Sequence, residues 1–152
     1  MRKLVINETK IEFPSRSANE SFARSVTACF AAQMDPTLNE LEDIKTAVSE
    51  AVTNVIIHAY PETIGSVYLR VRICADNILE LTVRDRGSGI ADVEQARQPM
   101  FTTGGMERSG MGFTIMESFM DDVTVRSTPG RGTTVVMKKH FSSRVPKEMS
   151  KK

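Results

Sequence analysis

Apolar residues recur along this chain with two periods, and the switches between them mark out its elements. Ile11 and Phe13 alternate with Lys10 and Glu12, which predicts a short half-buried strand before Pro14. From Ser17 the period lengthens. Ser17-Ala-Asn-Glu20 has the capping-box pattern, in which a hydroxyl and a carboxylate satisfy each other's backbone N–H groups, and Phe22, Val26, Cys29 and Phe30 follow at helical spacing. Asp35-Pro36 ends that helix. Thr37-Leu-Asn-Glu40 repeats the starting signal and opens a longer helix running towards Tyr60-Pro61, with Leu41, Ile44, Val48, Ala51, Val52 and Val55 as its core stripe. Period two then returns: Val67, Leu69, Val71 and Ile73 share one face of a strand, and Leu79, Leu81 and Val83 share one face of the next. A turn near Asp76-Asn77 makes the two an antiparallel hairpin. After a polar, glycine-rich region, Gly112 to Met120 reads as a third helix. Two strands, near Val123 to Ser127 and Thr133 to Lys139, flank the turn Pro129-Gly130-Arg131-Gly132.

These elements fit one α/β unit. A chain of 152 residues with 40% hydrophobic content supports a single continuous core, here expected over residues 1–141, with a disordered tail over residues 142–152. A net charge of +1 offers no broad footprint for nucleic acid, so proteins and small molecules are the expected partners. Cys29 and Cys74 are too few and too far apart for a disulfide framework, which suits a reducing cytoplasm. Residues 1–13 lack the apolar core of a signal peptide, and no apolar run is long enough to cross a bilayer.

The chemistry lies in four small motifs in order: Glu50-x-x-x-Asn54-x-x-x-His58, Asp85-x-Gly87-x-Gly89, Gly110-x-Gly112 and Gly132-Thr133. On a helix each step of four residues rotates only about 40°, so Glu50, Asn54 and His58 form one polar row beside the core stripe. There Asn54 can give magnesium an oxygen ligand and Glu50 can accept a proton from an attacking hydroxyl; a solvated flank ending in a helix-capping His58 is the plainer alternative. Asp85 continues the inward series of Leu79, Leu81 and Val83, placing a carboxylate where the pattern calls for an apolar side chain. An adenine amine would satisfy it, with Gly87 and Gly89 letting the backbone approach a flat ring; a loop that uses glycine for positive φ is the competing reading. Arg108-Ser109-Gly110-Met111-Gly112 runs directly into the helix beginning Phe113, where free N–H groups and the helix dipole favour phosphate. Residues 97–106, with Thr102 and Thr103 beside adjacent glycines, suit a mobile lid. Thr133 starts an inward row with Val135 and Met137, so its hydroxyl can reach the adenine side through water. Neither a Walker-type phosphate loop nor the eukaryotic kinase catalytic loop is present.

The four motifs together resemble the GHKL class of ATPases and kinases. That resemblance implies the Bergerat fold, an α+β two-layer sandwich in which helices cover one face of a mixed, mostly antiparallel sheet. Glu20-Ser-Phe-Ala-Arg24, Val48-Ser-Glu-Ala-Val-Thr-Asn54, Gln95-Ala-Arg-Gln-Pro99 and Glu107-Arg-Ser-Gly-Met-Gly-Phe-Thr-Ile-Met116 are similar to the anti-sigma F factors of endospore-forming bacteria, over about residues 11–140. The resemblance implies a homodimeric serine kinase that sequesters a sporulation sigma factor and uses ATP and magnesium to phosphorylate an anti-anti-sigma protein. It assigns Glu50 as general base and Asn54 as metal ligand. It gives His58, Asp85, Gly87, Gly89, Thr102, Thr103, residues 108–113 and Thr133 to the nucleotide, and Arg24 to partner contact. Ala59 after His58, a shortened lid and Arg86 depart from the family pattern. A general-stress anti-sigma kinase, an ATP-binding module without transfer and a detached histidine-kinase domain remain as alternatives.

Overall fold

Alternation becomes strand over more of the N-terminus than the short apolar pattern suggested. In the computed structural model, which describes residues 4–97 and 112–142, β1 spans Val5–Pro14 and pairs along its length with β2 (Ser66–Cys74). Val67, Leu69, Val71 and Ile73 of β2 are all buried, as are Leu79, Leu81 and Val83 of β3 (Ile78–Asp85). Asp76 and Asn77 both take positive φ, 65° and 60°, within the three-residue connection that the pairing of Cys74 with Ile78 leaves between the strands. β4 (Asp122–Thr128) and β5 (Gly132–His140) form the second expected hairpin. The sheet order is β1-β2-β3-β5-β4, and each of its pairings is antiparallel.

The helices α1 (Ala18–Ala31), α2 (Leu38–Asn54) and α4 (Gly112–Phe119) cover one face of this sheet, with α2 packed between α1 and α4. A short helix, α3 (Val93–Ala96), was not foreseen; Asp92 caps it by accepting from the Gln95 N–H at 3.0 Å. Thr37 starts α2 with a complete capping box, and Ile44, Val48, Ala51, Val52 and Val55 fill the core as expected, with Leu41 half-buried beside them.

The same letters fail at α1. Ser17 makes no side-chain cap: its own backbone is already helical and its carbonyl takes the Glu20 N–H at 3.2 Å, while the Glu20 carboxylate binds the Ser49 hydroxyl on α2 and pairs with Arg24 at 3.4 Å. The buried face of α1 is Ala23, Thr27 and Ala31, whereas Phe22 is 47% exposed and Cys29 is also exposed. Small side chains let the two helix backbones approach, and the Thr27 hydroxyl settles its polarity by donating to the Ala23 carbonyl at 2.8 Å.

The C-terminal end is fastened to the start of α2. Glu40 is buried; one carboxylate oxygen accepts from Thr37 N–H at 2.8 Å and the other from Ser142 N–H at 2.7 Å, and Phe141 is fully inside. The remainder of the expected tail lies outside the described residues.

Candidate functional site

The site forms where α2 runs out. Beyond Asn54 the helix widens into a π turn, Val55–Ala59, closed by the Tyr60 N–H on the Val55 carbonyl at 3.3 Å. Asn54 and His58 line one cavity of about 370 Å³, a size that accepts a small-molecule cofactor. Asp85, Gly89, Thr133 and the α4 residues Gly112 and Phe113 line the same cavity. The motif residues separated by up to 79 positions in sequence (133 − 54 = 79) thus meet around one space.

Asp85 ends β3 and is only 5% exposed. Its Oδ1 accepts from the Gly87 N–H at 2.9 Å and from the Thr133 N–H at 3.3 Å, so Oδ2 is not committed to these backbone donors. Burial raises its pKa above the usual carboxylate range, against the lowering effect of those two N–H groups. A ligand amine that donates to this carboxylate favours the ionised form. Nucleotide affinity is therefore expected to fall as the pH drops through the raised pKa, and binding near that pH to release a proton. Calorimetry in buffers of different ionisation enthalpy would read that proton directly; affinity independent of pH down to the ordinary carboxylate range would sever Asp85 from the ligand.

The glycines of this motif serve a different surface from the one expected. A Cβ at Gly87 would lie 2.3 Å from the Ala59 carbonyl oxygen, so Gly87 is needed for the loop to close on the end of the π turn, and it does not line the cavity. Gly89 takes φ 76° and a Cβ there would meet the Thr128 carbonyl oxygen at 2.3 Å, although Gly89 itself lines the cavity. The close approach is to protein backbone in both cases. Gly112 is different. A Cβ there would stand 3.1 Å from both amide atoms of Asn54, so the first residue of α4 is set directly against the proposed metal ligand.

Thr133 lies 2.8 Å, hydroxyl to hydroxyl, from Ser127, which also accepts from the Ile90 N–H at 2.7 Å. Sequence reasoning missed Ser127, Ser88 and Tyr60. Ser88 donates its hydroxyl to the His58 carbonyl at 3.1 Å; Tyr60 accepts from the Arg86 N–H at 2.8 Å and donates to the Ser66 carbonyl at 2.9 Å, tying the helix end to β2 and β3. Only the Tyr-Pro pair hinted that something stops there.

Glu50 is half-buried on α2, one turn before Asn54, and is not among the residues lining the cavity. Arg24, on α1, is held by Glu20, which the Ser49 hydroxyl also binds, so this arginine is tied to the turn of α2 that carries Glu50. Thr102, Thr103, Arg108, Ser109, Gly110 and Met111 lie outside the described residues. Among the described residues no group of three or more His, Cys, Asp or Glu side chains could hold a metal ion, and no helix is long and apolar enough to cross a membrane.

A family model described as a histidine kinase-like ATPase domain matches residues 13–139. The chain is 59% identical over 138 residues to a Bacillus velezensis protein named anti-sigma F factor, covering 90% of this chain and 94% of the relative. It is 57% identical to the Bacillus subtilis protein of that name over the same shares, and 58% identical over 136 residues to that of Caldanaerobacter subterraneus, covering 89% and 94%. Among solved structures it is similar to a Mycobacterium tuberculosis chain of RsbU and RsbW domains, with a TM-score of 0.66 at 17% identity over 89% of this chain and 32% of that one. A blue-light activated histidine kinase domain from Erythrobacter litoralis superposes with a TM-score of 0.54 at 25% identity over 68% of this chain and 45% of that one.

Proposed function

The chain belongs to the histidine kinase-like ATPase family and, within it, to the anti-sigma F factors, and from that premise we propose that it holds a sporulation sigma factor inactive and transfers phosphate from ATP to a serine of an anti-anti-sigma protein. One observation carries the nucleotide part: a buried carboxylate, Asp85, opens onto a cavity that Asn54 and the start of α4 also line. Adenine amine on Asp85 and phosphates towards Gly112 would use both ends of that space.

Magnesium fits the chemistry of the donors. With no protein cage of carboxylates among the described residues, the Asn54 amide oxygen would be its one protein ligand here, and phosphate and water oxygens would complete its octahedron. When bound it would offset the charge on the phosphates. The chain's own residues do the rest: Asp85 orients the base, α4 presents backbone N–H groups, and Glu50 takes the serine proton. Arg24 would meet the protein partners, a homodimer would be the working form and the cytoplasm the setting. The unit would be residues 1–141.

A second reading, ATP binding without transfer, draws on Glu50 lying outside the cavity lining. Incubating the protein with magnesium, γ-labelled ATP and the anti-anti-sigma protein separates the two. Label on a partner serine is expected; ATP bound with no label moved would leave the binding module.

A further inference from the structure

The face of the sheet turned away from the helices carries an uneven charge pattern. Across β2, β3, β5 and β4 one row reads Tyr68, Arg84, Thr134, Arg126, in direct register. Arg86 and Arg131 stand beyond it, and all four arginines are exposed. With Thr128 and Thr134 they line a groove of about 470 Å³. The Arg84 and Arg86 guanidiniums lie 4.7 and 5.1 Å from the centroid of the Tyr68 ring, which orders both without neutralising either.

Nearby arginines on the same face are treated otherwise. Arg70 pairs with Glu80 at 3.6 Å, and Arg72 with Glu80 and Glu8 at 3.8 Å each. Among the described residues Arg84, Arg86, Arg126 and Arg131 have no such ion pair. The one acid lining the groove, Asp85, is buried and accepts from the Gly87 and Thr133 N–H groups, so the four like charges raise one another's energy, a cost that an anionic ligand would reverse.

We propose that this groove docks a short acidic segment of a protein partner, one that presents at least two carboxylates. Strands spaced by about 4.8 Å set Arg84 and Arg126 roughly 10 Å apart, so each can fork onto a separate carboxylate, with Thr134 between them. Nucleic acid fits less well. A single strand carries one charge per about 3.4 Å of axis, and one leaving the groove would run onto Glu12, Glu80 and Asp122 of the same face. This surface is separate from the kinase reading, except that Asp85 and Thr133 line both the groove and the nucleotide cavity.

Fluorescence anisotropy on the full chain with a labelled hexapeptide of Asp, Glu and Gly, at low ionic strength, tests the proposal. Binding is expected, weakened about tenfold or more in Arg126→Gln/Arg131→Gln, with ATP affinity unchanged and the melting temperature unchanged or higher. The single variant Arg126→Gln should lose an intermediate amount, and Arg70→Gln, already paired, little. The proposal is overturned by absent peptide binding, by an equal loss in Arg70→Gln, or by a double variant that binds as well as wild type. A single-stranded oligonucleotide of equal charge that binds more tightly through the same arginines would reassign the groove to nucleic acid.

Discussion

Glu50→Ala is expected to slow phosphate transfer by about 10²–10⁴-fold, the range that loss of a positioned proton acceptor produces, while ATP affinity changes by no more than about twofold. The serine hydroxyl is a poor nucleophile until its proton has somewhere to go. Glu50 is the carboxylate one turn from Asn54 on the helix that lines the nucleotide cavity, about 6 Å along its axis. Because it stands outside the cavity lining, truncation removes no wall against which the nucleotide rests. Single-turnover transfer of labelled phosphate, measured beside the affinity for a fluorescent ATP analogue, reads the two effects separately. Glu50→Gln keeps the shape and removes the basicity, so it should match alanine in rate. A parallel fall of affinity and rate would make Glu50 a structural residue.

Asp85→Asn should strike binding instead. The amide can still accept from the Gly87 and Thr133 N–H groups through its oxygen, so the loop is held. What it turns to the cavity is then an NH₂ group, a donor facing the donor of an adenine amine. Loss of a hydrogen bond to a charged acceptor costs about 1.5–3 kcal/mol, roughly ten- to a hundredfold in Kd. The sign of the stability change runs the other way. A carboxyl whose pKa burial has raised contributes stability that is fully present below its unfolded pKa, about 3.9, and lost as the pH rises through the folded value. At neutral pH the neutral amide therefore leaves the nucleotide-free protein as stable as before, or slightly more so. Thermal melting with and without ADP checks both halves; a large loss of stability without nucleotide would mean that Asp85 serves the fold.

How far these residues were legible depended on how local their causes are. The Thr37 cap and the Asp76-Asn77 turn are settled within a few residues, and both formed as read. Ser17-Ala-Asn-Glu20 carries the same letters, but Ser49 and Arg24 claim Glu20 from outside the segment. Phe22 read as core because it falls at helical spacing with Val26, Cys29 and Phe30; the core instead took Ala23 and Ala31, for a helix contact that hydrophobicity alone does not announce. Asp85 was legible because a carboxylate broke an apolar series. Gly87 was recognisable as necessary, but nothing local says that the neighbour needing its space is Ala59, 28 positions earlier (87 − 59 = 28). The π turn differs from an α-helix by one residue in one turn, too little for any periodicity to register.

The strand order has a temporal consequence. β3 sits at the centre of the sheet, but one of its two neighbours, β5, is made last, and the Thr133 N–H that meets Asp85 arrives with it. Ile78 faces His140 across that pairing. During synthesis the first three strands can associate as the chain emerges, whereas the wall of the nucleotide cavity stays open until residues near 140 have left the ribosome. Nucleotide capture thereby waits on β5. A fragment truncated before β5 would lack the Thr133 backbone donor to Asp85, the carboxylate proposed to hold adenine, and is expected to be unable to load ATP.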